Sequence, residues 1–249
     1  MYKDQILTAQ NCQNCYMLKN CLMSKADLST MQPDTFQLKS SIAHANEYIA
    51  TDFIEKNQFI IVRTGAIIKE YIDSEGTASL VDIYFPGDII AGNPEIAMSY
   101  SMRLKSVETS SLCYLNTYIF DTHHHLYTGF LKIRLKNLEE SNAFKQLLLT
   151  YKDPIKRVLL FILTIVKKKH VFLCDDIEIK INLSRKQIGT YLGLAEETVI
   201  RSLRFLSELG LLHVNSKNFI IPQYKKLVQY YKISNTCDPA ETSKTDKTH

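Results

Sequence analysis

The sequence predicts an α+β fold in three parts: an N-terminal β-roll of the jelly-roll type, one long helix and a C-terminal winged helix-turn-helix. Short β-rich segments separated by turns follow one another through the first half of the chain, which is typical of a roll or a small barrel. An apolar stripe at helical spacing begins after about residue 125. Two helical segments joined at a glycine follow near residue 193. With 249 residues, the chain is long enough for two modest domains.

Residues 1–30 form a polar arm that carries closely spaced cysteines and shows no strong periodicity. The chain has no run of about 18 apolar residues, and its first residues lack the layout of a signal peptide, so we expect a cytoplasmic protein without a membrane segment. In a cytosolic protein, clustered cysteines indicate metal or cluster binding more than disulfides. The six cysteines are Cys12, Cys15, Cys21, Cys113, Cys174 and Cys237.

The β-roll is predicted for residues 31–125, where β-favouring runs alternate with turn-forming residues. Turn chemistry is concentrated at Asp73–Gly76 and at Pro86–Asp88. Strands this short and evenly spaced favour a closed roll over a helical domain. The predicted strands are Phe59–Val62, Ala66–Ile72, Ser79–Phe85, Arg103–Val107 and Ser111–Leu115.

A single long helix is predicted for residues 126–150. Its stripe alternates four- and three-residue steps, which places the members on one face. Such a face could pack on its own domain, or it could pair with the same helix of a second chain. The length of the stripe and the polar Asn142 within it favour the dimer, since one buried Asn can fix the register of two helices. The stripe consists of Leu131, Leu135, Leu138, Asn142, Lys145 and Leu149.

Residues 151–232 are predicted to form the winged helix-turn-helix. Ser184 with Gln187 forms a capping box that begins the first short helix, and Gly193 ends it in a tight turn. The second helix follows, and the hairpin Leu211–Ile221 is interpreted as the wing. Spacing turns Val199, Leu203 and Leu206 inward and turns Glu197, Ile200, Arg201 and Arg204 outward.

The outward side chains have the chemistry of base reading in DNA. Arginine donates in bidentate fashion to guanine, and glutamate accepts from the amino group of cytosine. This third of the chain is also basic, with 15 Lys and Arg against 7 Asp and Glu between residues 151 and 232; a solvated basic face is the alternative reading. The candidate DNA-binding residues are Glu197, Ile200, Arg201, Arg204, Ser184, Lys186 and Lys217, of which Arg204, Lys186 and Lys217 are candidates for phosphate contacts.

The stretch Leu183–Pro222 resembles the winged helix-turn-helix of CRP/FNR regulators, whose pattern IGxYLGLxxETVxRxLxxL is present here. The resemblance implies that Glu197 and Arg201 read bases. Two positions depart from the pattern. Ile200 stands where FNR-type members usually have Ser, which puts the half-site preference in question, and Ala195 stands where a capping Ser or Thr is common.

The cysteine pattern resembles FNR-type oxygen sensors, and the whole resemblance extends from Cys12 to about Tyr224. Cys12, Cys15 and Cys21 crowd into the arm, and a cubane cluster needs a fourth soft ligand, for which Cys113 after an "ETS" stretch is the natural candidate. The resemblance implies a [4Fe–4S] cluster on these four residues. Structural zinc or a redox disulfide pair would be the alternatives. Cys174 and Cys237 fall outside the pattern and are expected to be ordinary thiols.

Two other ligand sites are considered and not favoured. Cyclic-nucleotide-binding members of the family carry a Glu after the Gly-Asp turn and an Arg-Ser pair, where this chain has Gly92 and Ser101-Met102. Because a cyclic phosphate would lack its charge-assisted contact, we expect no cyclic nucleotide as a cofactor. The run His123–His125 is expected to lie at the surface or hinge between roll and helix.

The resemblance implies a homodimeric transcription regulator that binds two-fold symmetric DNA, with RNA polymerase as a further partner. Oxygen would destroy the cluster, loosen the arm and weaken both dimerisation and DNA binding. A nitric-oxide-sensing cluster, structural zinc and a ferredoxin-like redox protein remain alternatives. No catalytic constellation is present, so we expect no enzyme activity, and residues 233–249 are expected to be a disordered tail.

Overall fold

The computed structural model describes residues 5–25, 38–50, 57–91, 101–169 and 175–236. The chain divides into two compact units, Met1–Gln146 and Leu147–His249. Cys174, Cys237 and Gly92 lie outside the described residues. In the described ranges, no helix is both long and apolar enough to cross a membrane.

The first unit is the β-roll, built from two antiparallel sheets. One sheet has the strand order β1-β2-β9-β4-β7 and the other has the order β3-β8-β5-β6. The strands are β1 (Gln5–Leu7), β2 (Leu38–Ala43), β3 (Tyr48–Ile49), β4 (Gln58–Thr64), β5 (Ile67–Ile72), β6 (Ala78–Tyr84), β7 (Ile89–Ala91), β8 (Ser101–Ser106) and β9 (Ser110–Asn116). All five strands expected from the sequence are present.

Strand β4 explains why the roll holds together. Phe59 and Ile61 pack into one apolar cluster with Leu38, whereas Ile60 and Val62 pack into another. Successive side chains of a strand point to opposite faces, so an uninterrupted apolar run is what a strand buried on both faces requires. The pattern that predicted this strand therefore also accounts for its burial on both faces.

In its described residues the first unit contains α1 (Ala9–Gln13), α2 (Ile119–Thr122) and two short 3-10 helices at Leu18–Asn20 and Leu22–Lys25. It also contains most of α3 (His124–Thr150), whose last four residues fall in the second unit. The long helix thus begins two residues before the expected start. Its first turns pack on the roll through the buried Leu126 and through Phe130, whose ring lies 4.8 Å from that of Phe59.

The arm is more structured than the sequence suggested. Strand β1 pairs with β2, with Ile6 opposite Lys39, and Leu22 and Met23 are 0% and 2% exposed. The absence of periodicity was a poor guide here, because each element of the arm is too short to show a repeat. Apolar burial of Leu22 and Met23 anchors the arm to the roll.

The second unit contains four helices and a three-stranded sheet of order β10-β12-β11. Its elements are α4 (Pro154–Lys168), β10 (Asp175–Lys180), α5 (Arg185–Leu192), α6 (Glu196–Glu208), β11 (His213–Asn215), β12 (Asn218–Gln223) and α7 (Tyr224–Thr236). Asp153 caps α4 by accepting from the Ile155 N–H at 2.9 Å, and Pro154 occupies the first turn.

Helix α7 corrects the expected tail. The chain is helical to Thr236, so the first four residues of the segment expected to be disordered from residue 233 are helical instead. Leu227 is fully buried in this helix, and the hydroxyl of Tyr231 lies 2.8 Å from that of Tyr151. These contacts to earlier parts of the unit hold a helix whose own sequence carries a weak apolar pattern.

Candidate cluster site and nucleic-acid interface

The four cysteines of the predicted ligand set line one cavity in the first unit. Cys12 lies on α1, Cys15 and Cys21 lie in the turns that follow it, and Cys113 lies on β9. Consecutive turns bring the first three together, since the Cys15 N–H donates to the Cys12 carbonyl oxygen at 3.0 Å and the Cys21 N–H donates to that of Leu18 at 3.1 Å. Residues about 100 positions apart in sequence therefore share one site.

Burial dominates the acid–base chemistry of these thiols. It raises the pKa of Cys12 to about 12 and that of Cys113 to about 11, with smaller contributions from the other cysteines of the site. The pKa of Cys21 is raised as well, again chiefly by burial. Without a metal these thiols are protonated at neutral pH, so loading the site must release protons.

The donor set suits a group that needs several soft ligands. All four cysteines are free thiols, and Leu7, Leu18 and Ile61 are among the apolar side chains that line the same cavity. Among the described residues, no group of three or more His, Cys, Asp or Glu side chains is placed so that it could hold a metal ion. A zinc ion draws four sulfurs to about 2.3 Å from one point. A four-iron cluster takes one thiolate per iron, so its ligands stand farther apart.

Sequence reasoning missed Arg63, which lines the cysteine cavity from the end of β4. Its Nε atom is buried and has no hydrogen-bond partner within the described part of the chain. The Tyr16 hydroxyl, from the arm, donates to the Arg63 carbonyl oxygen at 2.9 Å. The available signal was a charged residue at the end of a buried apolar run, where the alternation of the strand places Arg63 on the face of Phe59 and Ile61.

The helix-turn-helix of the second unit has the expected local geometry. The Ser184 hydroxyl accepts from the Gln187 N–H at 3.0 Å, and the side-chain oxygen of Gln187 accepts from the Ser184 N–H at 2.9 Å. Gly193 ends α5 in the left-handed region, with φ of 64°. A Cβ atom on Gly189 would lie 2.6 Å from the Leu194 carbonyl oxygen, so the two helices meet where no side chain fits.

Arg157 braces this turn and was also missed from the sequence. Its Nη1 donates to the carbonyl oxygens of Leu192 and Gly193 at 3.1 and 3.3 Å. Its Nε donates to the Tyr151 carbonyl oxygen at 2.7 Å. One side chain on α4 thereby connects the end of α3 to the turn between α5 and α6. No local pattern reports contacts that span 35 residues.

The base-reading candidates are exposed on α6: Glu197, Ile200 and Arg201 face solvent, while Val199 and Leu206 of the same helix are fully buried. Ile200 is 48% exposed, which is unusual for an aliphatic side chain in the middle of a charged face.

The phosphate-contact candidates Lys186, Arg204 and Lys217 are exposed as well. Arg204 is engaged with Glu208 at 3.0 Å, and the Ser184 hydroxyl oxygen is occupied by its capping bond. Arg185, a neighbour that sequence reasoning passed over, donates to the Ser216 carbonyl oxygen at 2.7 Å and so ties α5 to the wing.

The proposed dimer stripe is exposed along α3 in the single chain. Leu135 is 58% exposed and Leu149 is 84% exposed. Leu131, Leu138, Asn142 and Lys145 are exposed too. By contrast, Leu126, Phe144 and Leu148 are buried on another side of the same helix. The apolar stripe therefore does not pack on its own chain within the described residues.

The two disfavoured sites are only partly described. Ser101 is exposed on β8 and Met102 is half-buried. His124 and His125 are exposed at the start of α3, and His123 lies between α2 and α3 with its Nε2 buried and without a hydrogen-bond partner in the described chain. These histidines lie at the junction between roll and helix that the sequence indicated.

In the comparison with known proteins, a family model matches part of the second unit. Residues 156–230 match a family model described as a Crp-like helix-turn-helix domain. The chain is 24% identical over 230 residues to an anaerobic regulatory protein of Aggregatibacter actinomycetemcomitans, which covers 89% of this chain and 88% of that protein. It is 23% identical over 236 residues to the fumarate and nitrate reduction regulatory protein of Vibrio cholerae, with coverage of 91% and 92%.

A solved structure extends the similarity to the fold. FixK2 of Bradyrhizobium japonicum superposes with a TM-score of 0.64 at 20% identity, covering 77% of this chain and 96% of that one. An identity this low carries the fold and no more. The two sequence relatives are named as regulatory proteins and not as enzymes, in agreement with the expectation from the sequence.

Proposed function

We propose that this chain, a transcription regulator of the FNR type in the CRP/FNR superfamily, senses oxygen through a [4Fe–4S] cluster held by its four clustered cysteines. The observation that carries the proposal is the convergence of Cys12, Cys15, Cys21 and Cys113 on one apolar cavity. The winged helix-turn-helix supplies DNA binding. Proteins that only transfer electrons have no use for such a domain, which counts against a ferredoxin-like role.

When bound, such a cluster supplies an oxygen-sensitive redox centre. The protein's part is to hold it. Cys12, Cys15 and Cys21 of the arm and Cys113 of β9 would hold it as thiolates, which would tether the arm to β9. The Tyr16 hydroxyl, through its bond to the Arg63 carbonyl oxygen, tethers the same arm to β4. Loss of the four thiolate bonds would leave the arm held by this bond, β1 and the buried Leu22 and Met23.

DNA binding is proposed to require the dimer. The exposed stripe of α3 pairs with that of a second copy, with Asn142 fixing the register. Two copies of α6 then present Glu197 and Arg201 to half-sites about one helical turn apart. The cluster controls DNA affinity if it binds the dimeric form more tightly than the monomer. Contact with RNA polymerase is proposed as the output.

Purification under anaerobic conditions, with iron and acid-labile sulfide assays and a visible spectrum before and after air, tests the cluster. We expect about four iron and four sulfide per chain, bleaching in air, and loss of both in Cys113→Ser. Cys237→Ser, which removes a thiol outside the proposed set, is the matched control and should keep the cluster. About one zinc per chain, or no metal after anaerobic reconstitution, would sink the proposal.

Nitric oxide is the remaining candidate signal for the same site. Adding it anaerobically to the loaded protein separates the two readings. A spectrum and DNA affinity that respond to nitric oxide but not to air would favour nitric oxide over oxygen.

A further inference from the structure

We propose that Arg63 provides the counter-charge for the cluster and sets how readily the cluster is oxidised. This inference rests on the proposed function, because it requires that the four cysteines hold a cluster. It concerns a residue that is not itself a ligand.

The charge distribution of the cavity singles out Arg63. Among the described residues that line the cavity, Arg63 is the one side chain with a permanent charge; the others are thiols, apolar side chains, Asn11 and Gly87. Arg63 lines this cavity together with the cysteines of the arm and with Cys113 of β9, so one cation lies beside proposed ligands from both the arm and the roll.

The backbone directs Arg63 toward this position. In the pairing of β4 with β9, Val62 lies opposite Leu112 and Thr64 lies opposite Ser111, so Arg63 occupies a β-bulge without a partner of its own. Because alternate side chains of a strand share a face, Arg63 lies on the face of Ile61, which lines the same cavity. Thr64 holds the far side of the bulge, because its hydroxyl accepts from the Ser111 N–H at 3.0 Å.

The Arg63 side chain has an unused donor at the cavity. Its Nε is buried, yet no described atom accepts a hydrogen bond from it. Burying a charged donor without an acceptor is expensive. Thiolate sulfurs and inorganic sulfide are acceptors, so a loaded site supplies the missing partner.

The balance of charge gives the expected effect. Four thiolates around a [4Fe–4S] core of charge two-plus leave a net charge of about minus two in an apolar cavity, which a single guanidinium partly neutralises. A fixed positive charge stabilises the more negative, reduced state. Removing it lowers the reduction potential and makes loss of an electron to molecular oxygen easier.

Arg63→Gln, Arg63→Lys and Lys39→Gln, prepared anaerobically as full chains, test the proposal. Lys39 is exposed on β2 and does not line the cavity, so Lys39→Gln removes the same charge elsewhere. Iron and sulfide content, reduction potential by anaerobic titration and bleaching rate in air are measured for each. We expect Arg63→Gln to have a lower potential and to bleach several-fold faster. Arg63→Lys and Lys39→Gln should stay close to the unsubstituted protein.

Three outcomes separate the claims. An unsubstituted protein that holds no iron and sulfide defeats the proposed function and this inference with it. A normal cluster whose potential is unchanged in Arg63→Gln defeats the inference alone. If Arg63→Gln cannot be loaded with a cluster, Arg63→Lys decides. A cluster of unchanged potential in Arg63→Lys supports the need for a positive charge. Failure of Arg63→Lys to load shows that the side chain is only structural.

Discussion

At the scale of single residues, the thiols of Cys12, Cys21 and Cys113 are unusual because burial is the largest influence on the pKa of each. The pKa of Cys12 is raised to about 12, so the folded, metal-free chain keeps a proton there that an unfolded chain loses at about pH 9. The contribution of the buried Cys12 thiol to folding stability is therefore present in full below about pH 9 and is lost as the pH rises toward about 12.

This predicts slow alkylation of Cys12 in the metal-free protein. Because the thiolate is the nucleophile, the rate should continue to rise with pH well above about 9, toward about 12, and unfolding the chain should accelerate the reaction. Rates measured by mass spectrometry of iodoacetamide-treated peptides give the profile, with the same peptide in urea as reference. Equal rates in folded and unfolded chains would contradict the packing described here.

The exposed position of Ile200 predicts that its side chain contacts DNA. An apolar side chain among Glu197 and Arg201 can contact the C5-methyl group of thymine in the major groove. In a DNA site selected in vitro, replacing one thymine in each half-site by deoxyuracil removes two methyl groups from the contacts of the dimer. Binding should weaken by about 15-fold, since burying each methyl is worth about 0.8 kcal/mol.

Fluorescence anisotropy on this set of sites, with Ile200→Ala beside the unsubstituted protein, measures the contact. The Ala variant should lose its sensitivity to the same thymine and keep its response to other substitutions. If no thymine shows a loss that depends on Ile200, the side chain does not read this base.

At the scale of elements, the features predicted from the sequence are those that a continuous pattern of residues encodes. The apolar run of β4, the stripe of α3 and the capping box of α5 were all visible before folding. Strands β1 and β3 were not, because two or three residues cannot show a period. Strand β10 was missed although buried Ile177 and Ile179 alternate with charged residues, which is the pattern of a half-buried strand.

The site residues also divide into those that the sequence predicted and those that it did not. Cys113 was predicted because its chemistry fits the arm cysteines. Arg157 could not be predicted, since its role arises from carbonyl oxygens 35 residues away. The alternation of the strand gives the face of Arg63 but not its approach to the cysteines of the arm, which arises only in the fold. Contacts of this kind exist only after the chain has folded.

The close approach of α5 to the turn before α6 predicts that replacing Gly189 destabilises the protein. In Gly189→Ala the new Cβ would meet the Leu194 carbonyl oxygen at 2.6 Å, so the turn must shift. We expect the free energy of unfolding to fall by about 1–3 kcal/mol, as for other overpacked sites. Urea denaturation measures it, with Thr190→Ala, an exposed position on the same helix, as control. Equal stability of both variants would mean that the helices need not approach so closely.

The exposed stripe of α3 predicts a second copy as its partner. Leu135→Glu would place an unpaired carboxylate in the seam, which should weaken dimerisation at least about a hundredfold because burying an unpaired charge costs several kcal/mol. Lys136→Glu, on the neighbouring exposed position, should leave the dimer intact. Sedimentation equilibrium under anaerobic conditions distinguishes the two. A Leu135→Glu protein that dimerises normally would assign the stripe another role.

At the scale of the whole molecule, the proposed sensing site and the helix-turn-helix lie in different units. The cysteine cavity belongs to Met1–Gln146 and the helix-turn-helix to Leu147–His249, with the division falling inside α3. Charge follows the same division: residues 151–232 carry 15 Lys and Arg against 7 Asp and Glu, which suits a polyanionic partner. Regulation therefore requires that the state of one unit change the DNA affinity of the other.

The most direct test of that coupling is the DNA affinity of one anaerobic sample before and after its visible absorption has been bleached by air, on a selected two-fold symmetric site. Coupling free energies between sites are commonly about 1–3 kcal/mol, so we expect affinity to fall by about 5- to 150-fold, and Cys113→Ser to bind weakly before and after air. If the unsubstituted protein bound equally well before and after complete bleaching, the cluster would not control DNA binding.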